Sequence, residues 1–445
     1  MNRYDKYKSV SLPWVNEIPE HWEIIRNKNI FMEKKKSVGS QFEKYKLLSL
    51  SLKGVIERNL EDGGKFPASF EKYTIVNPKD LVFCLFDIDE TPRTIGISKI
   101  EGMITSAYNI MAVKKDCAKY MYYFYLYLDF IKGLKPYYSS LRKTVNIDTF
   151  NSLKILTPPI NEQEQIANYL DWKINEIDRL IQVEKEKIKE LELFKQKYID
   201  SQIEAIDCEV QPLKSIFDFG KGLSITKDNL GETGFKCISY GEIHNDFMFS
   251  FSSNNPKLKG LEKIGDIVIS KFAQLKKGEF VFADTSEDLK GCGNFTYLKD
   301  NFQKVYAGYH TVVAKPRLKF NSKYLAYYFQ SNKWRKQIRE SVKGIKVYSI
   351  TQQILKSSKI QIPDEEVQIC LTDKLDKFIG NINSLSNALE SGIKELMNLK
   401  QSLISEVVTG KIDVRNVVIP EYEKVTALDD EVEELDEMEG IEDGN

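Results

Sequence analysis

Two stretches of the chain place an apolar residue at every seventh position. In the first, Leu170, Ile177, Leu191 and Tyr198 share one row of a heptad register. Ile174, Ile181 and Ile188 occupy the adjacent row, and Glu184 interrupts the pattern. In the second, Leu375, Ile382, Leu389, Leu396 and Leu403 form an unbroken row beside Ile379, Ser386, Ile393 and Lys400. Apolar positions on two neighbouring rows over five heptads predict long helices, each burying a narrow stripe against another helix. About 45 residues at 1.5 Å each make a rod of about 65–70 Å. The economical arrangement packs the two together. Leu375, Ile382, Leu389, Leu396 and Leu403 then face Ile174, Ile177, Ile181, Ile188 and Leu191.

Between and before these helices the pattern changes. Short β-rich runs at 81–86, 267–270 and 279–283 are punctuated by Gly, Asn and Asp. The aromatic segments at 120–131 and 324–329 predict buried helices, their rings serving the core rather than base stacking. Each block therefore reads as an α+β domain with a twisted, mainly antiparallel sheet.

The two halves are copies. KILTPP from Lys154 matches KIQIPD from Lys359 at an offset of 205. Carried without gaps over 154–199, that offset gives 16 identities in 46 positions, against about 3 by chance, the mark of an internal repeat. Upstream, Pro78-Lys79-Asp80-Leu81-Val82 faces Ile264-Gly265-Asp266-Ile267-Val268. Ser106-Ala107-Tyr108-Asn109 faces Ala307-Gly308-Tyr309-His310, and Lys119-Tyr120 faces Lys323-Tyr324. The drifting offset reflects loops of unequal length. The predicted organisation is a domain over 1–160, a spacer helix over 161–206, a second domain over 207–362, a second spacer helix over 363–412, and an acidic, flexible tail over 413–445.

Charge follows these boundaries. The formal net charge is −1, but residues 420–445 alone carry −11, from twelve acidic residues and one basic. Residues 1–160 carry +7 and residues 207–362 carry +10, whereas 161–206 and 363–419 carry −4 and −3. Two basic blocks fit a polyanionic partner. Six cysteines without a CxxC pair fit a reduced, cytoplasmic protein. The most apolar run, 120–128, is too short to span a bilayer, and the polar N-terminus has no apolar signal core. No membrane is expected as a partner.

Catalytic material is sparse. There is no GxxxxGK[ST] loop, and Gly291-Cys292-Gly293 lacks the third glycine of a dinucleotide fingerprint. Three histidines (His21, His244, His310) leave little for a triad or a metal cluster. No Asn-Pro-Pro-aromatic run of an adenine amino-methyltransferase is present. Asp284, Asp288 and Lys290 mimic a nuclease set but read better as a charged loop. No catalytic residue and no metal ligand is assigned.

Three motifs carry a resemblance: Trp14-Val15-Asn16-Glu17-Ile18-Pro19-Glu20-His21-Trp22, Pro158-Pro159-Ile160-Asn161-Glu162-Gln163-Glu164-Gln165-Ile166, and LISEVVTGKI over 403–412. With the tandem organisation, the chain over about 10–415 resembles the specificity subunit of type I restriction–modification systems. The second domain-to-helix step, Pro363-Asp364-Glu365-Glu366-Val367-Gln368, departs from the family pattern, lacking its double proline and Glu-Gln pair. The resemblance implies a chain with no catalysis and no cofactor of its own. It implies two target-recognition domains, each reading half of a split, asymmetric sequence in double-stranded DNA, and two helices packed antiparallel as a ruler. Two adenine-N6 methyltransferase subunits using S-adenosylmethionine and two ATP- and Mg-dependent restriction subunits would assemble on it.

Three loops per domain are the expected DNA contacts. The first, which in the family lies near DNA, holds Arg142, Lys143 and Asn146 in copy one and Lys343, Lys346 and Tyr348 in copy two. Small residues (Ser139, Ser140, Gly344) flank these, as close approach to a phosphate requires. The second holds Arg93 in copy one and Lys271, Gln274, Lys276 and Lys277 in copy two. The third pairs Tyr108 and Asn109 with Tyr309 and His310. Lysines suit phosphates, whereas Arg142 and Gln274 have the planar groups that grip guanine and adenine. Three other readings stay open at this point: a specificity module of another restriction class, a coiled-coil scaffold without nucleic acid, and an unrecognised nuclease.

Overall fold

The computed structural model describes residues 2–59, 69–139, 143–262, 270–344 and 346–425. Arg142, Ser140, the run 267–269, the repeat segment 264–268 and tail residues 426–445 lie outside the described residues. The chain divides into two compact units, Met1–Glu186 with Leu389–Asn445, and Lys187–Ala388. Each unit contains one globular block and part of each long helix, Ile160–Glu204 and Glu365–Val408, so the units cut across the helices instead of following the domain limits read from sequence.

In the first unit a four-stranded antiparallel sheet runs in the order Phe31–Lys34, Asn109–Val113, Leu81–Phe83, Ile95–Ile97. Leu81, Phe83, Phe31 and Met111 meet the aromatic helix Ala118–Phe130 in one core with Trp22, Phe124 and Phe150. The rings meet edge to face, Phe83 and Phe150 at 4.9 Å between centroids, the geometry the ring quadrupole favours. The predicted strand at 81–86 stops at Phe83, and the helix predicted at 120–131 begins at Ala118. The unit's stretches of the long helices run antiparallel. Lys400 Nζ meets Asp178 at 2.7 Å, and Gln165 donates to the carbonyl of Val414 at 3.0 Å. Ile174, Ile177 and Ile181 belong to the same core as Leu396 and Leu403.

The second unit holds two five-stranded sheets. One runs Phe217–Lys221, Thr311–Pro316, Phe280–Ala283, Phe295–Leu298, Phe249–Phe251. The other runs Leu230–Gly231, Lys259–Leu261, Phe235–Ile238, Val305–Ala307, Gln274–Leu275. Pairing is antiparallel except at two junctions, Phe235–Ile238 with Val305–Ala307 and Phe249–Phe251 with Phe295–Leu298. Phe280, Phe282, Phe295, Phe329 and Trp334 fill the core beneath the helices Ser322–Gln330 and Asn332–Ser341. The helical stretches again run antiparallel, Tyr198 stacking on Phe378 at 3.7 Å and Lys374 donating to Gln202 at 2.8 Å. Here Leu375 shares its core with Ile199 and Ile203, two residues outside the sequence-derived pairing set. Ile382 is buried, while Ile188, Leu191 and, in the first unit, Leu389 are only half-buried.

The repeat reappears as bonding. In the first unit Lys119 and Tyr123 both hold Asp171, the tyrosine at 2.7 Å. Tyr120 donates to the Leu156 carbonyl at 3.1 Å. Gln163 spans from the Cys117 amide (2.9 Å) to the Pro158 carbonyl (2.9 Å). In the second unit Lys323 and Tyr327 hold Asp376 at 2.6 and 2.7 Å, Tyr324 donates to Gln361, and Gln368 spans from Asn321 to Pro363. The same clasp fastens each domain to the start of its long helix. One member has no counterpart. Glu162 is buried under Tyr4, His21 and Trp22, whereas the equivalent Val367 is 47% exposed. Among the described residues, no helix is long and apolar enough to cross a membrane.

Candidate nucleic-acid interface

In the first unit the loops predicted to touch DNA are heavily internally bonded. Lys143 sits in the left-handed region (φ 47°), where a side chain is strained. Its ammonium meets Glu90 at 3.2 Å and Asp89 at 3.5 Å. The Glu90 hydrogen bond raises the Lys143 pKa. Burial pushes Asp89 up, but the Tyr138 hydroxyl and the Lys135 and Lys143 ammoniums bring it below the usual carboxylate range. Asn146 caps the helix Ile147–Ser152, its Oδ1 accepting the Thr149 amide at 2.8 Å, which accounts for an asparagine at that position. Tyr108 stacks on Phe86, and Asn109 donates to Glu33 at 3.2 Å.

Arg93 points inward. Its guanidinium lies 5.5 Å over the Phe130 ring and 3.9 Å from Asp129, and donates to the Leu52 carbonyl. In this conformation it is a half-buried structural cation and does not present its charge to a duplex.

The second unit gathers more of the expected residues. Thr285–Ser286 pairs with Tyr348–Ser349, and Lys343 bridges to Ser349. The amide of Ile350 donates to the Asp284 carbonyl, and that of Asp284 to the His310 carbonyl. Lys343, Tyr348 and His310 therefore share one edge. Exposed Lys346 lies in the same loop. His310 adopts φ 52°, with Nδ1 3.3 Å from Asp284 Oδ1. Tyr309 packs on Tyr240, and burial raises its pKa. Gln274 pairs with Tyr306 on the neighbouring strand, and the register carries exposed Lys271 toward Gly308. Exposed Lys276 and Lys277 leave the other end of that strand, where the Lys277 amide donates to Asn301. The sequence thus grouped residues that the sheet separates.

Two residues missed from sequence complete this edge. Tyr240 and His244 lie on the helix Tyr240–Asn245, the Tyr240 ring being 5.3 Å from His310 and 6.1 Å from His244. The signal was legible: Ser239 and Glu242 form a capping box, the S-x-x-E pattern that starts a helix. Behind the edge lies a cleft of about 730 Å³ whose lining includes Tyr240, His244, Ser286, Lys290, Arg335 and Arg339.

Residues 19–193 and 206–395 match the model of the type I restriction modification DNA specificity domain. The chain belongs to that family. The type I restriction enzyme MjaVIII specificity subunit of Methanocaldococcus jannaschii is similar at 26% identity over 434 residues, covering 90% of this chain and 95% of that one. A chain solved in a study of complex assembly and conformational transition of the type I R-M system shares the fold. Its TM-score is 0.63 at 12% identity, covering 89% of this chain and 99% of that one. The HsdS subunit of Thermoanaerobacter tengcongensis aligns at TM-score 0.45 and 13% identity, over 89% and 98% of the two chains. This specificity subunit is accordingly a DNA-recognition chain and the non-catalytic member of its system.

Proposed function

We propose that this specificity subunit reads a bipartite, asymmetric duplex target, one half with each unit's globular block. On this reading it carries two adenine-N6 methyltransferase subunits and two ATP-dependent restriction subunits. S-adenosylmethionine, ATP and Mg belong to those partners, and the assembly works in the cytoplasm.

The observation that carries the reading is a duplicated surface beside diverged domains. Leu180 and Leu385 are both exposed and lie 205 residues apart, as do exposed Phe194 and Leu399. Each unit holds one member of each pair: Leu180 and Leu399 in the first, Phe194 and Leu385 in the second. Large apolar side chains left in water at repeat-equivalent positions suit a partner that binds twice. The globular blocks, by contrast, are built on different sheets, which suits two unlike half-sites. Lys271, Gln274, His310, Lys343, Lys346 and Tyr348 are the contacts we assign to the second half-site, and Lys143, Asn109 and Tyr108 those near the first.

Replacing residues 207–362 by the corresponding block of another specificity subunit tests this. Methylation mapping should show one half-site changed and the other retained. A change in both, or in neither, removes the modular reading. Replacing Leu180 and Leu385 together by Asp should abolish methyltransferase co-purification while leaving the melting temperature within a few degrees.

A further inference from the structure

We propose that the cleft in the second unit seats a backbone phosphate of duplex DNA, held by Arg335 and Arg339 with Lys290 at its rim. This rests on the DNA-reading function above and adds an anchoring site to it.

Arg335 is 8% exposed, and among the described residues its guanidinium has neutral hydrogen-bond partners and no ion pair. Its Nη1 donates to Asn294 Oδ1 at 2.9 Å and to the Lys290 carbonyl at 3.4 Å, both neutral acceptors. One turn further along the same helix, Arg339 donates Nη2 to the Lys290 carbonyl at 3.2 Å, while its Nε is buried with no partner. Two guanidiniums four residues apart repel each other. Burial and the neighbouring Arg339 lower the Arg335 pKa to about 10.

Several less deeply buried cations are neutralised: Lys34 by Asp80 at 2.7 Å, Lys315 by Glu279 at 3.2 Å, Lys132 by Asp129 at 3.1 Å. A buried charge is ordinarily paired. Among the described residues no compensating anion is in place, and an open cleft lies over the pair. The acidic groups lining the cleft do not fill the role. Glu192 is engaged by Lys195, and Asp288 accepts the Gly291 amide at 2.5 Å. Glu287 is exposed.

The wall of the cleft identifies the anion. Ser286 pairs with Tyr348 and Tyr240 abuts His310, so the cleft opens beside the edge assigned to DNA. His244 and Asn294 stiffen that wall. The His244 Nε2–H donates to the Thr285 carbonyl at 2.9 Å, and the Asn294 amide donates to His244 Nδ1 at 2.9 Å. Guanidinium forks match phosphate oxygens in pairs. Such a contact positions the duplex and carries no sequence information.

The test uses the full-length chain with its methyltransferase subunits, titrated with target and scrambled duplexes by fluorescence anisotropy between 50 and 200 mM salt. Arg339→Gln should weaken both duplexes alike, by about tenfold or more, and reduce the salt slope by about 1. Arg335→Gln should do the same. Should that variant melt early, half-exposed Arg339 still decides the matter. Normal folding with an unchanged salt slope for Arg339→Gln overturns the phosphate site. Loss confined to the target duplex also overturns it, since that is base reading. If deleting residues 426–445 erases the difference between wild type and Arg339→Gln, the cleft holds the chain's own carboxylates and the proposal fails. Failure of the DNA-reading function itself looks different: the wild-type complex would not distinguish target from scrambled duplex.

Discussion

Glu162→Val places in the first copy the residue that the second copy carries at the equivalent position, Val367. Glu162 lies in the first turn of the long helix and is 6% exposed. Its Oε1 accepts from the Tyr4 hydroxyl at 2.5 Å and from Trp22 Nε1 at 2.9 Å, and its Oε2 meets His21 Nε2 at 2.8 Å. Valine removes the acceptor of all three. His21 is half-exposed and finds water, but Tyr4 and Trp22 are buried. Each buried donor left without a partner costs about 1–3 kcal/mol. Burying valine's methyl groups offsets roughly 1 kcal/mol, so the net loss for the two donors is about 1–5 kcal/mol. That is a large share of the ~5–15 kcal/mol that holds a domain together. Urea unfolding followed by tryptophan fluorescence suits the question, because Trp14, Trp22 and Trp172 lie in the first unit and only Trp334 in the second. The first-unit transition should move to lower urea. The reciprocal Val367→Glu, at an exposed site, should shift stability by less than about 0.5 kcal/mol. A Glu162→Val loss below about 1 kcal/mol, or equal effects at the two positions, would refute the reasoning that this buried carboxylate anchors the N-terminal segment.

Further outcomes follow from the same contacts. Leu375→Asp, at a fully buried position, should lower stability by about 3–5 kcal/mol, and Leu389→Asp, half-buried, by clearly less. If thermal melting and methyltransferase co-purification are unmoved by both, the paired-helix arrangement is wrong. The Arg415 fork holds the Asp413 pKa below the usual carboxylate range, at 3.0 and 2.7 Å. A depressed folded-state pKa contributes stability above the unfolded value of about 3.9 and loses it as pH falls through the folded value. Asp413→Asn should therefore melt earlier than wild type at pH 6, and the gap should narrow as pH falls below the unfolded value of about 3.9. In salt-dependent binding, Lys276→Ala should weaken target and scrambled duplexes equally. Gln274→Ala and Arg142→Ala should cost about 1–3 kcal/mol on the target and much less on scrambled duplex. Equal losses on both duplexes for Arg142→Ala would make that residue a backbone clamp.

Periodicity and repetition were local enough to read directly. The seven-residue spacing that places Ile177 and Leu403 in a core requires only helical geometry. The 205-residue offset already contained Asp171 and Asp376, Gln163 and Gln368, the residues that later appear as clasps. What those polar identities do was not legible, because Lys119, Tyr123 and Asp171 meet only when the chain folds back by some fifty residues. The same limit governed the candidate site. Sequence offered basic residues in loops, but charge alone does not reveal direction. Arg93 turns into the domain beside Asp129, and Lys143 is engaged by Asp89 and Glu90, while Lys343, Tyr348 and His310 converge through pairing between distant strands. Nothing in the sequence sets Arg335 and Arg339 apart from the other basic residues of 207–362. Only tertiary packing buried Arg335 with no ion-pair partner among the described residues, since burial and charge compensation depend on what the rest of the chain brings alongside, and residue order along one helix does not encode that.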